Sequence, residues 1–88
     1  MSPSLKLQPH VAWQMVGGLA VVMDLASGRT VGLNPSASFI WERLAAGSGE
    51  RLVDDFAARF HLDSEAAKHD VEQFVGYLVE QNLVAAEP

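Results

Sequence analysis

Residues 11–35 read VAWQMVGGLAVVMDLASGRTVGLNP, three short apolar segments separated by two turns that contain glycine. In the first segment Val11, Trp13 and Met15 alternate with their neighbours, which is the two-residue period of a strand with this set facing inward. Gly17-Gly18 follows at once, and a glycine pair supplies the positive φ angles of a two-residue hairpin turn. The pattern therefore predicts a strand that turns back tightly on the next one.

Two more strands extend this hairpin. Residues 19–25 form the second strand, in which one face is shared by Leu19, Val21, Met23 and Leu25. A second glycine turn leads into a short third strand, in which Val31 and Leu33 face inward. Antiparallel strands joined by such short turns predict a three-stranded β-meander. Trp13 and Trp41 are both expected to pack in the core, because each carries a large apolar surface.

After the meander the apolar residues recur with the period of a helix. Asn34-Pro35 is typical of a helix start, with asparagine as the N-cap, and Gly-Ser-Gly at residues 47–49 ends this first helix. A second helix is predicted from about residue 50 to residue 60, and a third begins at Asp63 or Ser64. The predicted buried stripes are Phe39, Ile40 and Leu44; Leu52, Val53, Phe56 and Phe60; and Ala67, Val71, Phe74, Val75 and Leu78.

The predicted architecture is α+β and winged-helix-like, a three-stranded antiparallel β-meander followed by three α-helices. Residues 11–85 are expected to form a single domain, whereas residues 1–10, interrupted by two prolines, are expected to form a loose N-terminal arm. Asn82 is predicted to cap the third helix in a left-handed conformation, after which residues 83–84 pack back and the tail frays.

Composition and charge narrow the possible functions. The chain has 88 residues, no cysteine, and no apolar run close to the roughly 18 residues that a membrane span needs. Residues 1–30 carry a net charge of +1, whereas residues 31–88 carry four basic and ten acidic side chains, a net of −6. Nucleic-acid binding needs clustered Lys and Arg, so we expect neither nucleic acid nor a membrane as partner. No signal peptide is visible, and a cytoplasmic location is expected.

No group of residues has the spacing of a catalytic or metal site. His10, His61 and His69 lack the i, i+4 partner of a His-Glu-x-x-His helix, and a zinc site needs three or four converging ligands. The serines lie at turns or helix starts, outside any Gly-x-Ser-x-Gly motif, and the glycines match no dinucleotide or phosphate loop. We therefore expect no catalytic residue, no metal and no cofactor, and predict that the chain is not an enzyme.

Several short motifs occur in a familiar order: VVMDL at residues 21–25, SG at 27–28, VGLN at 31–34, FIW at 39–41, LVDDF at 52–56 and DVEQF at 70–74. Their order and spacing, over about residues 9–85, resemble the PqqD-like family. This family comprises precursor-peptide recognition elements for ribosomally made, post-translationally modified peptides, and is named after coenzyme PQQ synthesis protein D.

The resemblance implies a non-catalytic peptide chaperone. In such a domain the leader of the precursor peptide adds as an extra strand beside the third strand and against the third helix. The domain then presents the precursor to a modifying enzyme such as a radical SAM protein, a protease or a cyclase. Pyrroloquinoline quinone biosynthesis is the naming example, and a lasso-peptide or other peptide-maturation pathway fits as well.

The residues themselves are compatible with this mode of binding. The third strand is an edge without Lys or Pro, and Gly32 has no side chain to obstruct a guest strand. We predict that Phe74 and Leu78 contact apolar leader residues and that Asp70 contacts a polar or cationic one. Alternatively, Phe74 and Leu78 are core residues and Asp70 is a solvated charge. The candidate peptide-binding residues are Thr30, Val31, Gly32, Leu33, Asp70, Gln73, Phe74, Tyr77 and Leu78.

Two other readings remain open from the residues alone. A winged-helix DNA-binding protein is one, although Lys68 is the single basic residue after Leu62, which disfavours a recognition helix. The other is a dimerisation module, since the exposed strand edges of a meander also permit a homodimer.

Overall fold

The computed structural model describes residues 4–47 and 49–87 and, within them, two small sheets and three α-helices. In chain order these are β1 (Ser4–Leu7), β2 (Val11–Val16), β3 (Leu19–Asp24), β4 (Arg29–Gly32), α1 (Pro35–Ala45), a 3₁₀ turn (Gly49–Arg51), α2 (Leu52–Phe60), α3 (Ser64–Glu80) and β5 (Val84–Glu87). The predicted α+β fold, an antiparallel three-stranded meander followed by three helices, is confirmed.

The meander has the strand order β2-β3-β4, so β2 and β4 are its outer strands. Val16 pairs with Leu19 across the first hairpin, and the two residues between them, Gly17 and Gly18, have φ angles of 60° and 83°. These positive φ angles are the ones that a two-residue hairpin matched to the sheet twist requires. The glycine pair therefore forms the predicted turn.

The second hairpin is held by the Asp24 side chain. Its Oδ1 accepts hydrogen bonds from the backbone N–H groups of Ala26, at 2.9 Å, and Ser27, at 3.3 Å. Desolvation acts to raise the pKa of Asp24, but these hydrogen bonds to the charged form outweigh it, and the pKa lies below its ordinary value. The ionised carboxylate thus stabilises the turn that leads into β4.

The side of the meander that faces the core is shown by the burial of β3. Ala20 and Val22 are buried, so Leu19, Met23 and the residues that share their face point away from the core. Trp13 lies on the core side, because it is opposite Val22 in the register, yet it is 36% exposed. Its ring contacts the buried Trp41 edge-on, with 6.2 Å between ring centroids. Core packing is confirmed for Trp41 but wrong for Trp13, which lies on an outer strand.

The two ends of the described chain form a sheet of their own. β1 pairs antiparallel with β5, from Leu7 opposite Val84 to Ser4 opposite Glu87. Val84 is 1% exposed, and two side chains of β1, Leu5 and Leu7, pack against the core. The expected loose arm is therefore wrong for residues 4–7, and the expected fraying is wrong for β5, while residues 1–3 and 88 lie outside the described residues.

The helix boundaries follow local signals. Asn34 caps α1 by accepting a hydrogen bond from the Ala37 N–H, and Asp63 caps α3 in the same way. Asn82, just after α3, has the predicted left-handed conformation, with φ of 60°. Of the predicted stop after α1, Gly47 has φ of 73°, and Ser48 lies outside the described residues.

A buried serine joins the meander to the helices. Ser38 on α1 is 2% exposed, and its hydroxyl accepts a hydrogen bond from the Ala20 N–H and donates one to the Leu33 carbonyl. These are the two groups that a longer β3–β4 ladder would have paired directly. Ser38 therefore fixes where the chain leaves β4 and enters α1. The largest fully buried side chains of the core are Trp41, Phe56, Ile40, Leu78, Val22 and Val84.

Candidate functional site

The predicted third strand is β4, and its far side is open. Within residues 4–47 and 49–87, β4 pairs with β3 alone. The Leu33 N–H donates to the Ala20 carbonyl at 2.9 Å, which shows which residues of β4 face β3. Because antiparallel pairs alternate, the backbone groups of Val31 point toward β3, whereas those of Thr30 and Gly32 point to the open edge. That edge offers two N–H donors and two carbonyl acceptors.

Among the described residues, none packs so closely against Gly32 that a glycine is required there. It is exposed, and a Cβ built on it would have no atom of the described chain within 4 Å. Its register opposite Val21 places the missing side chain on the outward face of the meander. Gly32 therefore leaves space beside the open edge without being required by the fold itself.

A cavity of about 330 Å³ opens next to the end of β4, between the start of α1 and the middle of α3. It is lined by Asn34, Ser36, Ala37, Ile40, Phe56, Asp70, Gln73 and Phe74. Ile40 and Phe56 are each 2% exposed and form an apolar floor, beside the half-buried Phe74. We call this cavity the α1–α3 pocket.

The rim of the α1–α3 pocket is polar. Asp70 supplies the single charged group in the lining, and Gln73 lies one turn further along α3. Asn34 Oδ1 is already bonded to the Ala37 N–H at 2.8 Å and to the Ser36 hydroxyl at 3.1 Å. The pocket can therefore receive an apolar side chain on its floor while a hydrogen-bond donor or cation meets the Asp70 carboxylate.

The structure brings some of the predicted residues together. Asp70, Gln73 and Phe74 line the pocket as a group. Tyr77 is 38% exposed and stacks on Phe74, with 6.2 Å between ring centroids and 21° between ring planes. Leu78, in contrast, is completely buried, so it supports α3 from behind and presents no surface to a ligand.

The four predicted residues of β4 do not line the pocket. Thr30 and Gly32 are exposed, Val31 is half-buried, and Leu33 is 8% exposed as part of the core. What they contribute is the open backbone edge that ends where the pocket begins, at Asn34. The edge and the pocket are therefore adjacent parts of one candidate site.

Sequence reasoning missed five residues of the pocket. Asn34 was assigned as a helix cap, Ser36 as a serine at a helix start, and Ile40 and Phe56 as core, which they also are, while Ala37 had no assigned role. One signal was available: residues 34–37, Asn-Pro-Ser-Ala, carry no large apolar side chain and follow the open strand after Leu33. A guest chain that passes the end of β4 must meet this first turn of α1.

Other kinds of site were also sought. In the described part of the chain, no group of three or more histidine or carboxylate side chains is arranged to hold a metal ion. None of the described helices combines the length and hydropathy that a membrane span requires.

The chain was compared with known proteins. Residues 20–84 match the family model described as coenzyme PQQ synthesis protein D (PqqD). The structure of TbiB1 in complex with the TbiA(beta) leader peptide is similar, with a TM-score of 0.86 and 25% sequence identity over 94% of this chain and 98% of that one. Lasso peptide synthetase B1 complexed with the leader peptide has a TM-score of 0.77 and 23% identity over 93% and 98%, and shares the fold. No curated protein sequence matches the chain.

Proposed function

Because this chain belongs to the PqqD family, we propose that it is a recognition domain that binds the leader of a ribosomally made precursor peptide and presents it to a modifying enzyme. The observation that carries the proposal is the open edge of β4 ending at the α1–α3 pocket. TbiB1, which has this fold over nearly its whole length, was solved with a leader peptide bound. The same class of ligand fits this chain.

Binding would occur by strand addition. An extended leader beside β4 can pair its backbone with the open N–H and carbonyl groups of Thr30 and Gly32. Such pairing is almost independent of the ligand's sequence, because every residue other than proline offers the same two groups. The backbone edge therefore supplies affinity, and sequence selection has to come from side chains nearby.

The α1–α3 pocket would provide that selection. A leader that leaves the end of β4 passes Asn34 and can place an apolar side chain on the floor formed by Ile40, Phe56 and Phe74. Asp70 would then face a polar or cationic residue of the leader, with Gln73 as a hydrogen-bonding neighbour. Tyr77 extends this wall through its stack on Phe74.

The role assigned to this domain is delivery, and the chemistry belongs to the partner. A radical SAM protein, a protease or a cyclase could act on the presented precursor, in the pyrroloquinoline quinone pathway or in the maturation of a lasso or other modified peptide. In this proposal the domain is not itself an enzyme, needs no cofactor, and works in the cytoplasm, where ribosomal precursors are made.

Calorimetric titration with a candidate leader peptide, taken from a short open reading frame next to this gene, tests the proposal. Gly32→Pro should weaken binding by about tenfold or more, because proline removes an N–H at the open edge of β4 and leaves the β3 ladder intact. Met15→Pro is the matched control, since it makes the same change at the open edge of β2. Circular dichroism checks that both variants fold. Equal leader affinity in the two variants, or no binding to the unmodified protein, would refute strand addition at β4.

A further inference from the structure

The first residue of β4, Arg29, is the single basic residue of the meander, residues 11–33. It is exposed, and in the register it lies opposite Asp24 of β3. The Asp24 carboxylate is already engaged, because it accepts from N–H groups of the turn and lies 3.9 Å from His10 Nε2. Within residues 4–47 and 49–87, the Arg29 guanidinium makes no hydrogen bond or ion pair. Its charge is therefore available to a ligand.

Arg29 lies on the face of the meander that the helices cover. Val31 is opposite the buried Val22, and side chains alternate along a strand, so Arg29, two residues before Val31, is on the same side. Leu33, two residues after Val31, is a core residue on this side, and the α1–α3 pocket begins at the next residue. Arg29 and the pocket therefore lie on one face, at the two ends of β4, separated by about 13 Å of strand.

The C-terminal end of α3 lies at the Arg29 end of the meander. The Asn82 carbonyl, just after α3, accepts a hydrogen bond from His10 Nε2 at 3.0 Å. The His10 carbonyl in turn accepts from the N–H of Leu25, the residue that follows β3, at 2.8 Å. The middle of α3 lines the pocket through Asp70. A guest strand on the β4 edge would therefore have Asp70 near one end and Arg29 near the other.

A strand added to the β4 edge would alternate its side chains between the same two faces. The open backbone groups are those of Thr30 and Gly32. The guest residues opposite Leu33, Val31 and Arg29 therefore direct their side chains toward the helices. In antiparallel pairs that do not hydrogen-bond to each other, opposite Cα atoms are about 4.5 Å apart, so their side chains touch. When one guest residue lies at the pocket, opposite Leu33, the residue four positions away lies opposite Arg29.

The two charges also distinguish the two directions of a guest chain. Antiparallel pairing is the more stable kind, and it continues the antiparallel order of the meander. In that direction the guest passes the pocket first and Arg29 afterwards. A guest with an acidic residue after its apolar one would, in the reverse direction, carry that residue away from Arg29 and past the Asp70 end. Attraction at Arg29 and repulsion at Asp70 both disfavour this arrangement.

We propose that Arg29 is a specificity-determining residue, and that the leader bound here carries Asp or Glu four residues C-terminal to the apolar residue in the α1–α3 pocket. This inference rests on the proposed function and adds a charge requirement to it. Oppositely charged side chains directly across two strands stabilise the pair modestly. Arg29 therefore selects among leaders that the backbone edge alone would bind equally.

Calorimetric titration with the candidate leader peptide tests the role of Arg29. Alanine substitution along the peptide identifies the apolar residue whose loss weakens binding most, and an acidic residue should follow it by four positions. Arg29→Gln should weaken binding by about twofold to fivefold, and Arg29→Glu by at least as much. Replacing the acidic peptide residue by lysine should have a similar effect. Arg29→Glu should bind this lysine peptide more tightly than the unmodified protein does, as coupled partners require.

Arg51→Glu is the matched control, because it makes the same charge change at an exposed residue outside the pocket lining. It should weaken binding less than Arg29→Glu, and added salt should reduce the difference. Circular dichroism checks that each variant folds. A leader that is weakened by Gly32→Pro but responds equally to Arg29→Glu and Arg51→Glu would overturn the role of Arg29 and leave the proposed function standing. So would a bound leader without the acidic residue. Absence of binding, or equal effects of Gly32→Pro and Met15→Pro, would overturn both.

Discussion

The two outer strands of the same sheet present different surroundings to a guest chain. β2 offers six uncharged residues beside a depression of about 230 Å³, lined by residues of β2 and β3 alone. β4 offers four residues, begins with Arg29, and ends at the larger α1–α3 pocket, whose lining comes from three helices and includes Asp70. Backbone pairing is available at both edges, so the edges differ in what their side chains can select.

This difference means that backbone pairing at either edge can contribute affinity, whereas only side chains near an edge can contribute specificity. A bare apolar edge such as β2 offers backbone pairing without charged side chains in the strand that could select one partner strand over another. An edge that ends at a pocket with one carboxylate can bind one peptide more tightly than another. A ligand binds more weakly when it leaves the polar groups of the pocket rim without hydrogen-bond partners. The helices thus place beside one of the two edges a candidate selective site that the other edge lacks.

The largest expected effect comes from removing the link between β4 and α1. Ser38→Ala leaves the buried Ala20 N–H and Leu33 carbonyl without their partner, which should lower the free energy of unfolding by about 1–3 kcal/mol. Urea unfolding followed by circular dichroism measures this. Among molecules that remain folded, leader affinity should fall, because Ser38 sets the position at which β4 ends beside the α1–α3 pocket. An unchanged unfolding free energy would contradict the assigned role.

A smaller effect is expected from reversing the charge in the pocket. If the leader carries a cationic residue, Asp70→Arg should weaken its binding by about twofold to fivefold, the range for an exposed ion pair. Glu72→Arg makes the same charge change two residues away on α3, outside the pocket lining, and should have less effect. Raising the salt concentration should reduce the difference between the two variants. Equal losses in both would show that only overall charge matters.

The smallest effect concerns the turn before β4. Because the pKa of Asp24 is lower in the folded chain than its ordinary value, its contribution to stability is present above that value and is lost as the pH falls through the acid range. The free energy of unfolding should therefore decrease on acidification, and Asp24→Asn should flatten this dependence. Thermal melts at a series of acid pH values measure it. If the Asp24→Asn variant loses as much stability on acidification as the unmodified protein, the loss comes from other carboxylates.

Several features of the fold were readable from local sequence. The Gly17-Gly18 turn and the caps at Asn34 and Asp63 depend on residues within four positions of each other, and the structure contains each of them. The apolar spacing of α3 likewise gave its buried residues, since Ala67, Val71 and Leu78 are in the core. These local predictions hold in the folded protein because the residues that form a turn or a cap are already close together in the sequence.

Other features were not readable. In β3 every residue from Leu19 to Met23 is apolar, so alternation could not show that the smaller Ala20 and Val22 face the core. β1 has four residues, too few for a periodic signal, and its partner β5 lies at the other end of the chain. For the candidate site, the resemblance pointed to the third helix, on which Asp70, Gln73 and Phe74 lie, whereas Ile40 and Phe56 could be recognised as pocket residues only after α1, α2 and α3 had packed.

Local chain chemistry was therefore sufficient for the turns, the helix limits, the α+β class and the resemblance to a family of peptide-recognition domains. Tertiary packing alone determined that β1 pairs with β5 and which side of the meander is buried. It also determined that the open edge of β4 lies next to the α1–α3 pocket. The physical reason is distance along the chain: a cap or a turn is stabilised by near neighbours, whereas a pocket exists only where remote segments are brought together by burial of the core they share.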